Sequence, residues 1–270
     1  MELPRSYRPQ RTPIINVLQR KQKPTCSFCL RPREQSLGSH TFARPNHPKA
    51  FFSPNRHPRP RIRSSFLTTD AEDDTSFKGG VPFATMTLLS NKRFGSPLLA
   101  GEESSKMVLD SVFRTELSSR YNRDALCVNI VSPSLPRSIF RLLNVHLGPF
   151  DSQARRMDQM DVLARLLREP GCSGAIIAGD FNAVYPRDHQ LIDDHELVDA
   201  WVALHGRDGG DTWGHWGVPV EIEDEFEPGR LDKVVMLGMK PEEIEVLQPG
   251  RVGACTHWSE HCGLRCTFTI

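Results

Sequence analysis

The nine residues AIIAGDFNA, positions 175–183, decide how the rest of the chain is read. Residues 175–178 are apolar without alternation, the pattern of a short strand buried on both faces. Gly179 then gives way to Asp180, Phe181 and Asn182. In extended geometry residues two apart point the same way, so Asp180 and Asn182 are expected on one side of the strand end. A carboxylate beside an amide suits activation of water next to a phosphate. The plainer alternative is an Asp/Asn-rich turn that merely leaves a buried strand.

Working outward, IFRLLNVHL (139–147) reads as a second buried strand, ending in an Asn144, His146 alternation. His146 has the chemistry to donate a hydrogen bond to a phosphoryl oxygen, or to sit as a satisfied histidine at a strand end. Between these strands, Asp151 or Ser152 is placed to cap a helix running through Arg168. Met157, Met160, Leu163 and Leu167 form its stripe, and Pro170-Gly171 stops it. VPFATMTLLS (81–90) and ALCVNIV (125–131) read as strands, residues 188–204 as partly helical, and 205–229 as a long Gly-rich loop. Strands follow at 231–237, 244–247 and 264–270. In the last, Leu264, Cys266, Phe268 and Ile270 alternate with Arg265, Thr267 and Thr269, which fixes its inward face. GRLD (229–232) opens one of these strands and SEHC (259–262) precedes another. An Asp near a His fixes the imidazole tautomer and stabilises its charged form.

The 270 residues carry a net charge of +1, but the charge is divided unevenly. Residues 1–66 hold 14 Lys and Arg against Glu2 and Glu34, together with ten of the 21 prolines, and the remainder is acidic. That division excludes a uniformly basic nucleic-acid coat protein and a chain disordered throughout. Residues 1–65 read as a basic Pro/Arg-rich segment without a packed core, and 66–270 as one folded domain. Cys26 and Cys29, followed by His40, His47 and His57, lack the spacing and apolar helix of a zinc finger and read as coincidence. Seven cysteines scattered over a chain of this size are expected as reduced thiols, hence an intracellular protein of cytoplasm or nucleus, with organelle targeting an open alternative. No apolar run reaches membrane length, so no membrane partner is expected.

Taken together, NVHL, GDFNA, GRLDKV and SEHCGL, in that order, resemble the endonuclease/exonuclease/phosphatase (DNase I-like) superfamily of metal-dependent phosphohydrolases. RYNRDAL (120–126), LVDAW (197–201) and DTW (211–213) are most similar to its tyrosyl-DNA-phosphodiesterase-2-like branch, including uncharacterised fungal members. The resemblance implies an α/β fold, a four-layer α-β-β-α sandwich, with the site at the strand ends. It implies a phosphoester hydrolase in which water attacks phosphorus. Asp180 would orient or deprotonate the water, and Asn182 would hold a phosphate oxygen. His261, held by Asp232, would stabilise the developing charge or assist the leaving group. His146, Asn144 and Arg230 would be further substrate contacts, and Glu260 would ligate Mg²⁺ or Mn²⁺. The implied partner is a phosphoester substrate, with nucleic acid among the candidates, and the chain is expected to be a monomer.

Two features depart from the family pattern. Its members begin with a strand bearing an Asn motif and a second strand ending in Q-E, whose Glu is the main metal ligand. Neither occurs here, where Glu34 and the acidic stretch around Glu72 offer no buried strand. Glu260 also stands where the family has Asp before the His. The sandwich is therefore expected to be incomplete at its N-terminal strands, with residues 1–63 replacing them, and the cation to bind weakly or not at all. A catalytically inactive binding module, or a truncated gene product, is the alternative reading.

Overall fold

The computed structural model describes residues 15–17, 66–69, 85, 87–90, 93–95, 106–121, 123–133, 135–214, 227–252, 256–257 and 259–269. The Cys26/Cys29 pair, His40, His47, His57, Glu34 and Glu72 lie outside the described residues.

In chain order the strands are β1 (Ile15–Val17), β2 (Phe66–Thr69), β3 (Thr87–Ser90), β4 (Phe94–Gly95), β5 (Met107–Glu116), β6 (Asp124–Ser132) and β7 (Leu135–His146). Helix α1 (Gln153–Leu167) leads to β8 (Cys172–Asp180), and α2 (Pro186–Asp194) leads to β9 (Val198–Asp199) and α3 (Ala200–His205). The chain ends with β10 (Asp232–Leu237), β11 (Lys240–Leu247), β12 (Arg251–Val252), β13 (Thr256–His257) and β14 (Gly263–Thr269). The large sheet runs β4-β5-β6-β7-β8-β10-β9, and a second sheet runs β1-β14-β11. Strands β7 and β8 are parallel, as a connection through α1 allows, while β8 and β10 are antiparallel.

The apolar run at 175–178 is explained by burial on both sides. Ala175 and Ile177 pack with Leu143, Val145 and Val235 under α1 and α2. Ile176 and Ala178 face the other way, with Leu142, Val234 and Met236, against Leu264, Cys266 and Phe268 of β14 and Ile244 of β11. Helices, large sheet and second sheet thus make three successive layers among the described residues. The alternation expected for the last strand is present, with Leu264, Cys266 and Phe268 buried.

Three elements differ from the sequence expectation. Strand β5 carries no clean period because the pairing with β6 shifts between Leu109 and Ser111. Met107, Leu109 and Val112 pack towards the second sheet, whereas Phe113 packs under the helices, so the parity of the strand changes partway along. In α1 the buried line is Arg156, Met160, Leu163 and Leu167, and Met157 is exposed. Arg156 takes the inward position because its guanidinium reaches Asp188 at the start of α2. Ser152 is the N-cap residue by position, but its hydroxyl donates to Asp151 and makes no cap bond. Within the basic segment, β1 pairs antiparallel with β14, an element for which the sequence pattern carries no signal.

The loop after α3 shows where backbone freedom is required. Gly210 has φ +77, and a Cβ there would lie 2.6 Å from Cδ2 of Trp201. Gly210→Ala is therefore expected to cost about 2 kcal/mol or more in urea unfolding, from the left-handed backbone and the clash together.

Candidate functional site

Strand register brings the site together. His146 on β7 lies opposite Asp180 on β8, and Asp180 lies opposite Asp232 on β10. By alternation these residues continue the row of Leu142, Ile176, Ala178, Val234 and Met236, so all three point to the sheet-to-sheet side at one strand end. His261, just before β14, joins them from the second sheet. Its Nδ1 is 2.7 Å from Asp232 Oδ2. Four residues distant in sequence thus converge on one spot.

Asp180 is buried, with Oδ1 accepting from Asn182 N at 2.8 Å. Its Oδ2 faces His146 Nε2 at 3.3 Å and, among the described residues, accepts no hydrogen bond. Burial pushes the Asp180 carboxyl above its ordinary value, the charge of Asp232 adds to this, and His146 and His261 oppose it. Asn182 has φ +47, a left-handed conformation that Asn tolerates better than most residues. The stretch after β8 is therefore an Asp/Asn turn, the plainer of the two readings of GDFN, and it places Asp180 in the cluster. The Asn182 amide also donates to Leu147 O at 3.0 Å, which ties the ends of β7 and β8 and commits one of its two amide hydrogens.

The remaining expected residues lie as follows. Asn144 is one step down the same face of β7, with Nδ2 3.5 Å from Thr87 Oγ1. Arg230, expected to contact substrate, lies in a buried pair with Asp199 at 2.5 Å. That carboxylate also caps α3 by accepting from Trp201 N and Val202 N. Glu260, expected as the metal ligand, lies outside the cluster that could hold an ion. That cluster is Asp180, Asp232 and His261, whose candidate ligand atoms all lie within 4.8 Å of one another. Cys262 and Cys266 are buried free thiols.

Two further residues, each within a segment named above, bear on the cluster. Arg123 is largely buried, which lowers its pKa, while Asp180 is the first charge that opposes the shift. Its only sequence signal is membership of RYNRDAL. Trp213 is buried and bridges to both Gly229 and His261 through its backbone, with its ring centroid 5.9 Å from that of Phe150.

On the helix side of the same strand, Lys233 is buried with Nζ 3.1 Å from His189 Nδ1 and 3.8 Å from Asp199 Oδ2. Burial, reinforced by Arg230, pushes Lys233 down to about 7, and burial with Lys233 pushes His189 down to about 4. Between about pH 7 and the ordinary lysine value near 10.4, the unfolded chain therefore binds a proton that the folded chain does not. Stability is expected to rise with pH across that window and to flatten there in Lys233→Met, as read by chemical denaturation at several pH values.

A divalent cation fits the residues present. Asp180 offers a buried oxygen that accepts no hydrogen bond among the described residues, Asp232 offers a second carboxylate, and oxygen donors suit a hard ion such as Mg²⁺ or Mn²⁺.

No protein-family model and no curated protein matches the chain in sequence. Solved structures do match its fold. TDP2 of D. rerio, complexed with single strand DNA product, aligns with a TM-score of 0.56 at 16% identity, over 76% of this chain and 78% of that one. A truncated TDP2 of Caenorhabditis elegans gives 0.56 at 16% identity, over 77% of each chain. A mannosyl-6-phosphatase of Bacteroides thetaiotaomicron gives 0.51 at 12% identity, over 69% of this chain and 71% of that one. At these identities the likeness is one of fold: the chain shares the DNase I-like α/β fold of these structures. Among the described residues, no helix is long and apolar enough to cross a membrane.

Proposed function

We propose that this chain is a phosphoester hydrolase that directs water at phosphorus, with a nucleic-acid phosphodiester as the leading substrate class. The observation that carries the reading is the convergence of His146, Asp180, Asp232 and His261 at one strand end. Asp180, held above the ordinary carboxylate range, orients the attacking water and takes its proton as the new O–P bond forms. Asp232 bonds Nδ1 of His261 and so fixes the ring, leaving Nε2 to deliver a proton to the departing oxygen as its bond to phosphorus breaks. His146 Nε2 lies 3.3 Å from Asp180 Oδ2, and the guanidinium of Arg123 adds positive charge that acts on Asp180. Asp180 and Asp232 would hold Mg²⁺ or Mn²⁺, which contributes Lewis acidity towards a phosphoryl oxygen when bound. The choice of nucleic acid is supported by the fold shared with TDP2, crystallised with a DNA product.

The test is Mg²⁺-dependent cleavage of a 5′-phosphotyrosyl oligonucleotide and of a simple phosphodiester by the full chain. Turnover that disappears in His261→Ala is the expected result. Turnover that survives unchanged in both His261→Ala and Asp180→Asn removes the assignment. A second reading, a phosphate-binding module without turnover, is favoured by the position of Glu260 outside the carboxylate cluster. It predicts oligonucleotide binding with no product at any Mg²⁺ or Mn²⁺ concentration.

A further inference from the structure

One residue in the loop at 206–214 reaches both segments that supply the Asp232–His261 pair. Thr212 is fully buried. Its Oγ1 accepts from Asp232 N at 2.9 Å, and its carbonyl accepts from Cys262 N, the residue after His261, at 2.7 Å. Its own N–H donates to Gly229 O at 3.0 Å. The loop is braced from its far side as well. Gly210 lies against the Trp201 indole, whose Nε1 donates to Asp208 O at 3.1 Å. Asp199 caps the helix carrying Trp201 and holds Arg230, two residues before Asp232.

We infer that Thr212 is a positioning residue, whose hydroxyl and carbonyl together set the separation at which His261 Nδ1 meets Asp232 Oδ2. Its catalytic consequence rests on the hydrolase reading; the geometric role does not. Without the hydroxyl, Asp232 N–H loses its acceptor in an enclosed place, and β10 is released from the segment preceding β14. A productive pair tolerates about 0.5 Å of misplacement, so a small shift is enough to separate Asp232 from His261.

The test compares Thr212→Val, which keeps the volume and loses the acceptor, with Thr212→Ser, which keeps the acceptor. The first readout is the low-field proton resonance of the His261–Asp232 hydrogen bond, assigned by its absence in His261→Gln. It is expected in the unsubstituted chain and in Thr212→Ser, and lost or displaced in Thr212→Val. The second is hydrolysis: Thr212→Val is expected to lower kcat about 10- to 100-fold with KM within about twofold, and Thr212→Ser to stay within about threefold. A Thr212→Val protein that keeps both the resonance and kcat overturns the role. Equal loss in Thr212→Ser overturns it too, since removing a methyl should not matter to an acceptor. If the unsubstituted chain cleaves no phosphoester, the hydrolase reading fails, and the resonance still decides the part played by Thr212.

Discussion

Asp180→Asn is expected to lower hydrolysis by about 10³-fold while making the metal-free protein more stable, because the substitution removes a base and relieves a buried like charge at the same time. Asp180 is buried opposite Asp232, and its Oδ2 accepts no hydrogen bond among the described residues. Both burial and Asp232 raise its pKa, so the ionised form is disfavoured by the fold. The sign follows from linkage. A carboxyl whose folded value is raised loses its contribution to stability as pH rises from its ordinary value near 3.9 through the folded value. The Asn182 N–H can still donate to the amide oxygen that the substitution introduces in place of Oδ1, so the turn is retained. Denaturant unfolding should therefore place the variant above the unsubstituted chain at neutral pH, with the gap closing in acid. A variant equally stable at every pH would show that the carboxyl carries no burial penalty.

Replacing Arg156 with Met is expected to cost about 3–5 kcal/mol, the range for breaking a buried ion pair by removing one partner. Arg156 is about 1% exposed, and its Nε and Nη2 hold both oxygens of Asp188 at 2.9 and 2.8 Å. Its Nη1 donates to Pro149 O at 2.6 Å and Gly148 O at 3.2 Å, while Asp188 Oδ2 accepts from Tyr185 N at 3.0 Å. One guanidinium therefore joins the turn after His146 to the turn after Asn182. Urea unfolding should show the loss, and Arg156→Met with Asp188→Leu should recover part of it by removing the stranded carboxylate. If the double variant is no better than the single one, the backbone bonds to residues 148 and 149 dominate instead of the ion pair.

The legible and illegible parts of this protein divide on physical grounds. Strand β8 is readable because burial on both faces forces an unbroken apolar run, and β14 because burial on one face forces alternation. Strand β5 is hidden by a bulge that exchanges its faces midway, and Met157 departs from its expected place because an arginine is recruited inward by a partner 32 residues away. Among site residues, Asp180, Asp232, His146 and His261 stand out through short motifs in a fixed order. Arg230 pairs with Asp199, a contact that no local pattern announces, and Thr212 stands out only as part of DTW, with nothing in that motif to tell that it accepts from Asp232 N and Cys262 N.

The sequence by itself determined the chemistry available: which carboxylates and imidazoles sit at strand ends, and on which side of each strand. Those follow from local periodicity and covalent geometry. Tertiary structure alone decided which of them meet. Asp180, Asp232 and His261 come within 4.8 Å only because parallel and antiparallel register align three strand ends and a second sheet closes over them. The same packing pairs the buried Arg230 with Asp199, since a buried charge settles where a partner can satisfy it, and that partner is set by the fold.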